Sequence, residues 1–171
     1  MTALRLFASK RIAALLLIGL ILLAFFGLWA RDLGYPSLSG DESFVTILTS
    51  QPTGEILQRL NSDEPYPPAY YLLMHAWHKL VGGRPEYVVR FPSLLIGLLV
   101  LSLTYQLGRS LGLGRLTAVI PVIVLGFDPQ MIAHIREARM VGPMVASLAL
   151  FVLIGLRFDR LPGRNQIWIA A

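Results

Sequence analysis

The long apolar runs constrain this chain more than any other feature. A stretch of roughly 20 predominantly apolar residues can satisfy its own backbone in lipid only as a helix. Four such runs occur, at residues 12–29, 88–107, 116–135 and 140–156. The alternation of apolar and polar residues that marks a membrane barrel strand is absent. Charged side chains make up 15% of the 171 residues, against about a quarter in an ordinary soluble domain. The sequence therefore predicts an all-α, polytopic membrane helix bundle with about four transmembrane helices.

Basic residues gather at the ends of these runs. Arg5, Lys10 and Arg11 precede the first one like the head of a signal peptide. The run at 12–29 is longer than the roughly 7–15 residue core of such peptides, and Gly27-Leu28-Trp29-Ala30 makes a poor cleavage site, so a retained span is the better reading. Threading the runs alternately, with the N-terminus in the cytoplasm, puts Arg5, Lys10, Arg11, Arg109, Arg115, Arg157, Arg160 and Arg164 inside, with Asp159 the only acid among them. That is the positive-inside bias. It implies a multi-pass protein of the cell membrane, with the loop at 30–87 and the turn around 128–139 on the extracytoplasmic face.

The formal net charge of +5 does not point to nucleic acid, because no basic stripe interleaved with aromatics appears. The chain has no cysteine, which removes disulfides, thiolate metal sites and cysteine nucleophiles. Nothing matches a P-loop, a Rossmann glycine fingerprint or a Gly-x-Ser-x-Gly elbow.

The first outer loop is too long for a simple connection. It holds helix-compatible pieces at 42–49, 53–60 and 67–81. The last piece carries an apolar run of only about a dozen residues, interrupted by His75, His78 and Lys79, which suits an interfacial helix better than a span. Its Tyr70, Tyr71 and Trp77 fit the headgroup layer. Pro92 and Pro143 are expected in the first turns of their spans, where a missing N–H costs little. Residues 165–171 read as the opening of another apolar run, so the whole chain is read as the N-terminal part of a membrane domain, truncated after 171.

Two charged clusters could carry chemistry. Asp41 and Glu42 are adjacent acids shortly after the first span, preceded by Ser39 and Gly40. A carboxylate there can accept a proton from a hydroxyl or bind a divalent cation. Equally, acids are common in a solvated first helical turn. Arg136, Glu137 and Arg139 lie where the third run meets the outer face. An arginine fork suits a lipid phosphate, while headgroup snorkelling or a local Glu137–Arg139 contact is the plainer alternative. His75 and His78, three apart, make no metal motif on their own, and they and His134 are read as structural.

Taken in order, three segments resemble the membrane glycosyltransferases of the GT-C class, specifically the protein O-mannosyltransferase and aminoarabinose-transferase-like group. They are Asp41–Glu42 in the first outer loop, Tyr66-Pro67-Pro68-Ala69-Tyr70-Tyr71 followed by Arg90-Phe91-Pro92-Ser93, and Arg136-Glu137-Ala138-Arg139-Met140. Tyr66, Arg136 and Val141 depart from the His, Gln and Tyr usual in that family, which bears on substrate detail rather than class. The resemblance implies the N-terminal portion of an enzyme that moves a sugar from a polyprenyl-phosphate donor to an acceptor hydroxyl on protein, lipid or glycan, with inversion. It implies Asp41 as general base, with Glu42 as its partner or a cation ligand. Arg139 would contact phosphate, oriented by Glu137 and assisted by Arg136, and Tyr70 and Tyr71 would shape the cleft. A divalent cation is compatible with Asp41 and Glu42 but not required. The alternative is a non-catalytic multi-pass protein, either a transporter-like component or an inactive transferase fragment.

Overall fold

The computed structural model describes residues 2–35, 37–62, 66–82 and 85–159, without side-chain detail for 2–11, 85 and 159. Arg160, Arg164 and the apolar run at 165–171 lie outside the described residues, as does the side chain of Asp159. Every regular element among the described residues is helical: α1 (Thr2–Ala30), α2 (Gly40–Thr49), α3 (Thr53–Ser62), α4 (Pro68–Val81), α5 (Pro85–Ser110), α6 (Val119–Gly126), α7 (Pro129–Ile135) and α8 (Val141–Asp159). Three segments, Ile12–Ala30, Glu86–Ser110 and Val141–Phe158, are long and apolar enough to cross a membrane. The outer two expose most of their apolar surface, including Leu16, Leu20, Leu148 and Phe151, whereas α5 is half-buried and packs against α1, α6, α7 and α8. The molecule is thus a helical bundle built around α5.

The run at 116–135 differs from the single span expected of it. It is divided into α6 and α7 at Phe127 and Asp128. Asp128 is extended (φ −64°, ψ 126°), its carboxylate accepts from Met131 N–H at 2.9 Å, and Pro129 fills the first helical position. An N-cap followed by proline starts a new helix and disfavours helical geometry at the residue before it. The break lets α6 lean on α1. Trp29 Nε1 donates to the Gly126 carbonyl at 3.3 Å, and a Cβ at Gly126 would lie 2.2 Å from the Phe25 ring.

Pro92 also departs from expectation, because α5 already begins at Pro85 and places it two turns inside the helix. A proline there withholds the N–H that the carbonyl four residues earlier would accept. That carbonyl belongs to Val88, and it accepts Trp77 Nε1–H at 2.7 Å instead. The indole of α4 therefore satisfies the acceptor that Pro92 strands, and its ring stacks on Phe91 at 5.7 Å. Pro143 does fall in the first turn of α8.

Helices α2, α3 and α4 fold the connection between α1 and α5 into a compact cap. At 14 residues, α4 extends about 21 Å, short of a hydrocarbon core of about 30 Å. Val45, Leu48, Ile56, Leu60, Tyr70, Tyr71 and Met74 form a core with Val89 of α5 and Ala138 of the α7–α8 connection. His75 is buried within the cap. Its ring nitrogens meet the Thr49 carbonyl at 2.8 Å and Thr53 Oγ1 at 3.3 Å, while His78 Nδ1 meets Thr49 Oγ1 at 2.9 Å. Desolvation, then the neighbouring His75, holds the His78 imidazole below its ordinary pKa. These two histidines fasten α4 to the end of α2 and the start of α3.

Candidate functional site

Ser39 opens α2 with a reciprocal capping box. Its hydroxyl accepts from Glu42 N–H at 3.4 Å, and its own N–H donates to Glu42 Oε2 at 2.9 Å. The cap turns Glu42 inward, where its side chain is 1% exposed. There Arg90 of α5, itself 3% exposed, grips it with two parallel bonds, Nε to Oε1 and Nη2 to Oε2, both 2.8 Å. Ala138 N–H donates to Oε1 at 3.2 Å. Burial alone would raise the Glu42 pKa, but the Arg90 fork and the Ser39 and Ala138 amides outweigh it and hold the pKa below the ordinary value. Arg90 also donates to the carbonyls of Leu33 (3.1 Å) and Ser37 (3.3 Å). One buried ion pair therefore ties the start of α2, the segment leaving α1, the first turns of α5 and the α7–α8 connection together.

Asp41, the neighbouring acid, has the opposite environment. Its side chain is 68% exposed and pairs with Arg139, Oδ2 to Nη2 at 2.9 Å. Arg139 is 40% exposed and also meets Glu137, Nε to Oε2 at 3.0 Å, an ion contact without hydrogen-bond alignment. Asp41 and Arg139 share the wall of a cavity of about 430 Å³ with Phe44, Tyr66, Tyr70 and Tyr71. The aromatic side is tightly built: Tyr71 lies edge-on to Tyr70 (5.4 Å) and Phe44 (6.5 Å) and tilted against Tyr66 (6.0 Å). The Tyr70 hydroxyl is buried and has no hydrogen-bond partner. Burial, then Tyr71 and Glu42, push its pKa upward, so it stays a protonated donor.

The cavity thus gathers Asp41, Arg139, Tyr70 and Tyr71 from the residues picked out in the sequence, with Glu137 behind Arg139. Arg136 is not among its lining residues. It is exposed, and its backbone N–H closes the end of α7 on Ala133 and Ile132. Glu42 does not share a site with Asp41, since its two oxygens are turned into Arg90 and the amides. The pair therefore does not fit a common cation site, and no cluster of three or more His, Cys, Asp or Glu placed for a metal occurs among the described residues. Sequence reasoning missed Arg90 as a site residue. The available signal was a lone charge at the head of an apolar helix, the kind of residue that is costly in lipid unless paired. It also missed Phe44 and Tyr66 as cavity walls.

The fold and cavity define a helical membrane-type bundle whose charged and aromatic cleft lies between the cap and the α7–α8 connection and reaches Val141 at the start of α8. No protein-family model, curated protein or solved structure matches the chain.

Proposed function

We propose that this chain forms the acceptor-activating part of a GT-C-type membrane glycosyltransferase, with the cavity at Asp41 as its reaction site. The observation that carries the proposal is the division of labour between adjacent acids. Glu42 is spent on Arg90, which leaves Asp41 exposed on a cleft with Arg139 opposite and aromatic rings beside it. A carboxylate and a guanidinium on one half-apolar cleft suit a substrate that is a hydroxyl at one end and a lipid phosphate at the other. The positive-inside pattern supports an extracytoplasmic position for that cleft.

Asp41 would take the proton of the acceptor hydroxyl as its oxygen attacks the anomeric carbon from the side opposite the phosphate. The bond from that carbon to the phosphate oxygen breaks, its electron pair leaves with the polyprenyl phosphate, and Arg139 offsets the charge. The sugar is transferred with inversion. Asp41→Asn is expected to abolish transfer from a polyprenyl-phosphate-linked sugar while leaving membrane insertion intact. Undiminished transfer by that variant would remove Asp41 from the role.

A further inference from the structure

The two ion pairs of the site differ in one respect that bears on its working. Glu42–Arg90 is sealed from solvent and makes two aligned bonds. Asp41–Arg139 is a single contact between an exposed carboxylate and a half-buried guanidinium, and Arg139 is at once shared with Glu137. A buried pair of the first kind resists being broken, whereas a solvent-accessible pair of the second kind is worth little against water. The backbone beneath Arg139 is held by the Ala138 N–H bond to Glu42, so the side chain can move while its root stays fixed.

From this we infer that Arg139 is an exchangeable gate on Asp41. Without a phosphate in the cleft, Arg139 Nη2 occupies an oxygen of Asp41. An anionic lipid phosphate competes for the guanidinium, for which a phosphate offers two strong acceptors, and draws it off while Glu137 keeps hold of Nε. Asp41 is then left unpaired beside the place where an acceptor hydroxyl would sit. The carboxylate is thus freed for proton transfer only when the phosphate-bearing donor is present. Arg139 is a positioning residue in this scheme. The inference rests on the proposed site for a phosphate-bearing lipid, but it concerns binding and is tested without turnover.

The experiment measures binding of a short-chain polyprenyl monophosphate, and of the neutral polyprenol as control, to the protein in nanodiscs. Asp41 competes with the phosphate for Arg139, so Asp41→Asn and Asp41→Ala should both tighten monophosphate binding, by up to about fivefold for a solvent-accessible pair. Arg139→Gln should weaken it, and adding Asp41→Asn to Arg139→Gln should then change nothing further, a coupling that a merely structural role does not produce. Polyprenol binding should be indifferent to all of them. Equal or weaker monophosphate binding by both Asp41 variants overturns the gate, as does unchanged binding by Arg139→Gln. The coupling together with undiminished transfer by Asp41→Asn would remove Asp41 from the transferase role and leave the exchange standing.

Discussion

Arg90 and Glu42 stand 48 positions apart in sequence and meet through two bonds of 2.8 Å, with scarcely any of either side chain exposed. Through Leu33, Ser37, Ser39 and Ala138 the pair fixes the cap on the bundle and holds the Asp41 and Arg139 backbones at facing walls of the cleft.

Removing one partner should therefore cost far more than a surface charge would. Glu42→Gln and Arg90→Gln are each expected to lose about 3–5 kcal/mol, because each strands a buried charge. The double variant should lose less than the sum of the two. Thermal unfolding in detergent, followed by tryptophan fluorescence, measures this. Additive losses would mean the pair is not the coupled unit described.

The same pair sets a pH limit. The folded pKa of Glu42 is lowered, so its contribution is fully present above the ordinary glutamate value of about 4.3. It is lost only as pH falls below that value through the folded pKa. Stability attributable to Glu42 should thus be flat across neutral pH and collapse in strong acid. The difference in unfolding midpoint between the natural protein and Glu42→Gln should shrink below pH of about 4. A difference that shrinks between about pH 5 and 8 would contradict the assigned direction.

Much of the cap was legible because local signals agree there. The pieces at 42–49, 53–60 and 67–81 carry helical patterning, and α2, α3 and α4 occupy them with ends shifted by a few residues. Two features hid from that kind of reading. The hydropathy of 116–135 is nearly continuous, so an apolar tally passes over Asp128–Pro129, whose capping geometry divides α6 from α7. Asp41 and Glu42 look equivalent as neighbours in sequence. They are told apart mainly by Arg90 and Ala138, contacts that reach 48 and 96 positions away. The Ser39-x-x-Glu42 capping box was the one local hint that Glu42 points back toward its own helix start.

The proline in α5 supplies a further check on the packing beneath the site. Trp77 donates to the Val88 carbonyl that Pro92 leaves without its helical partner. Trp77→Phe should therefore destabilise by about 1–3 kcal/mol, the cost of a buried acceptor left unmade. In a Pro92→Ala background the restored N–H at residue 92 can reach the same carbonyl, and the cost of losing the indole N–H should fall. An equal loss in both backgrounds would assign the effect to ring packing on Phe91 rather than to the hydrogen bond.

Tyr70 separates stability from function most cleanly. Its hydroxyl is buried on the cleft without a hydrogen-bond partner, so the folded protein gains nothing from it. Removing such a group relieves a desolvation cost, and Tyr70→Phe should match or exceed the natural protein in thermal stability, by up to about 1 kcal/mol. On the proposed function, the protonated phenol is a donor waiting for an oxygen of the substrate. Transfer should then fall about tenfold, in keeping with one lost neutral hydrogen bond of about 1–1.5 kcal/mol. Unfolding midpoints and initial rates measured on the same preparation decide the matter. A variant that is less stable yet fully active would place the hydroxyl in the scaffold and not in the substrate site.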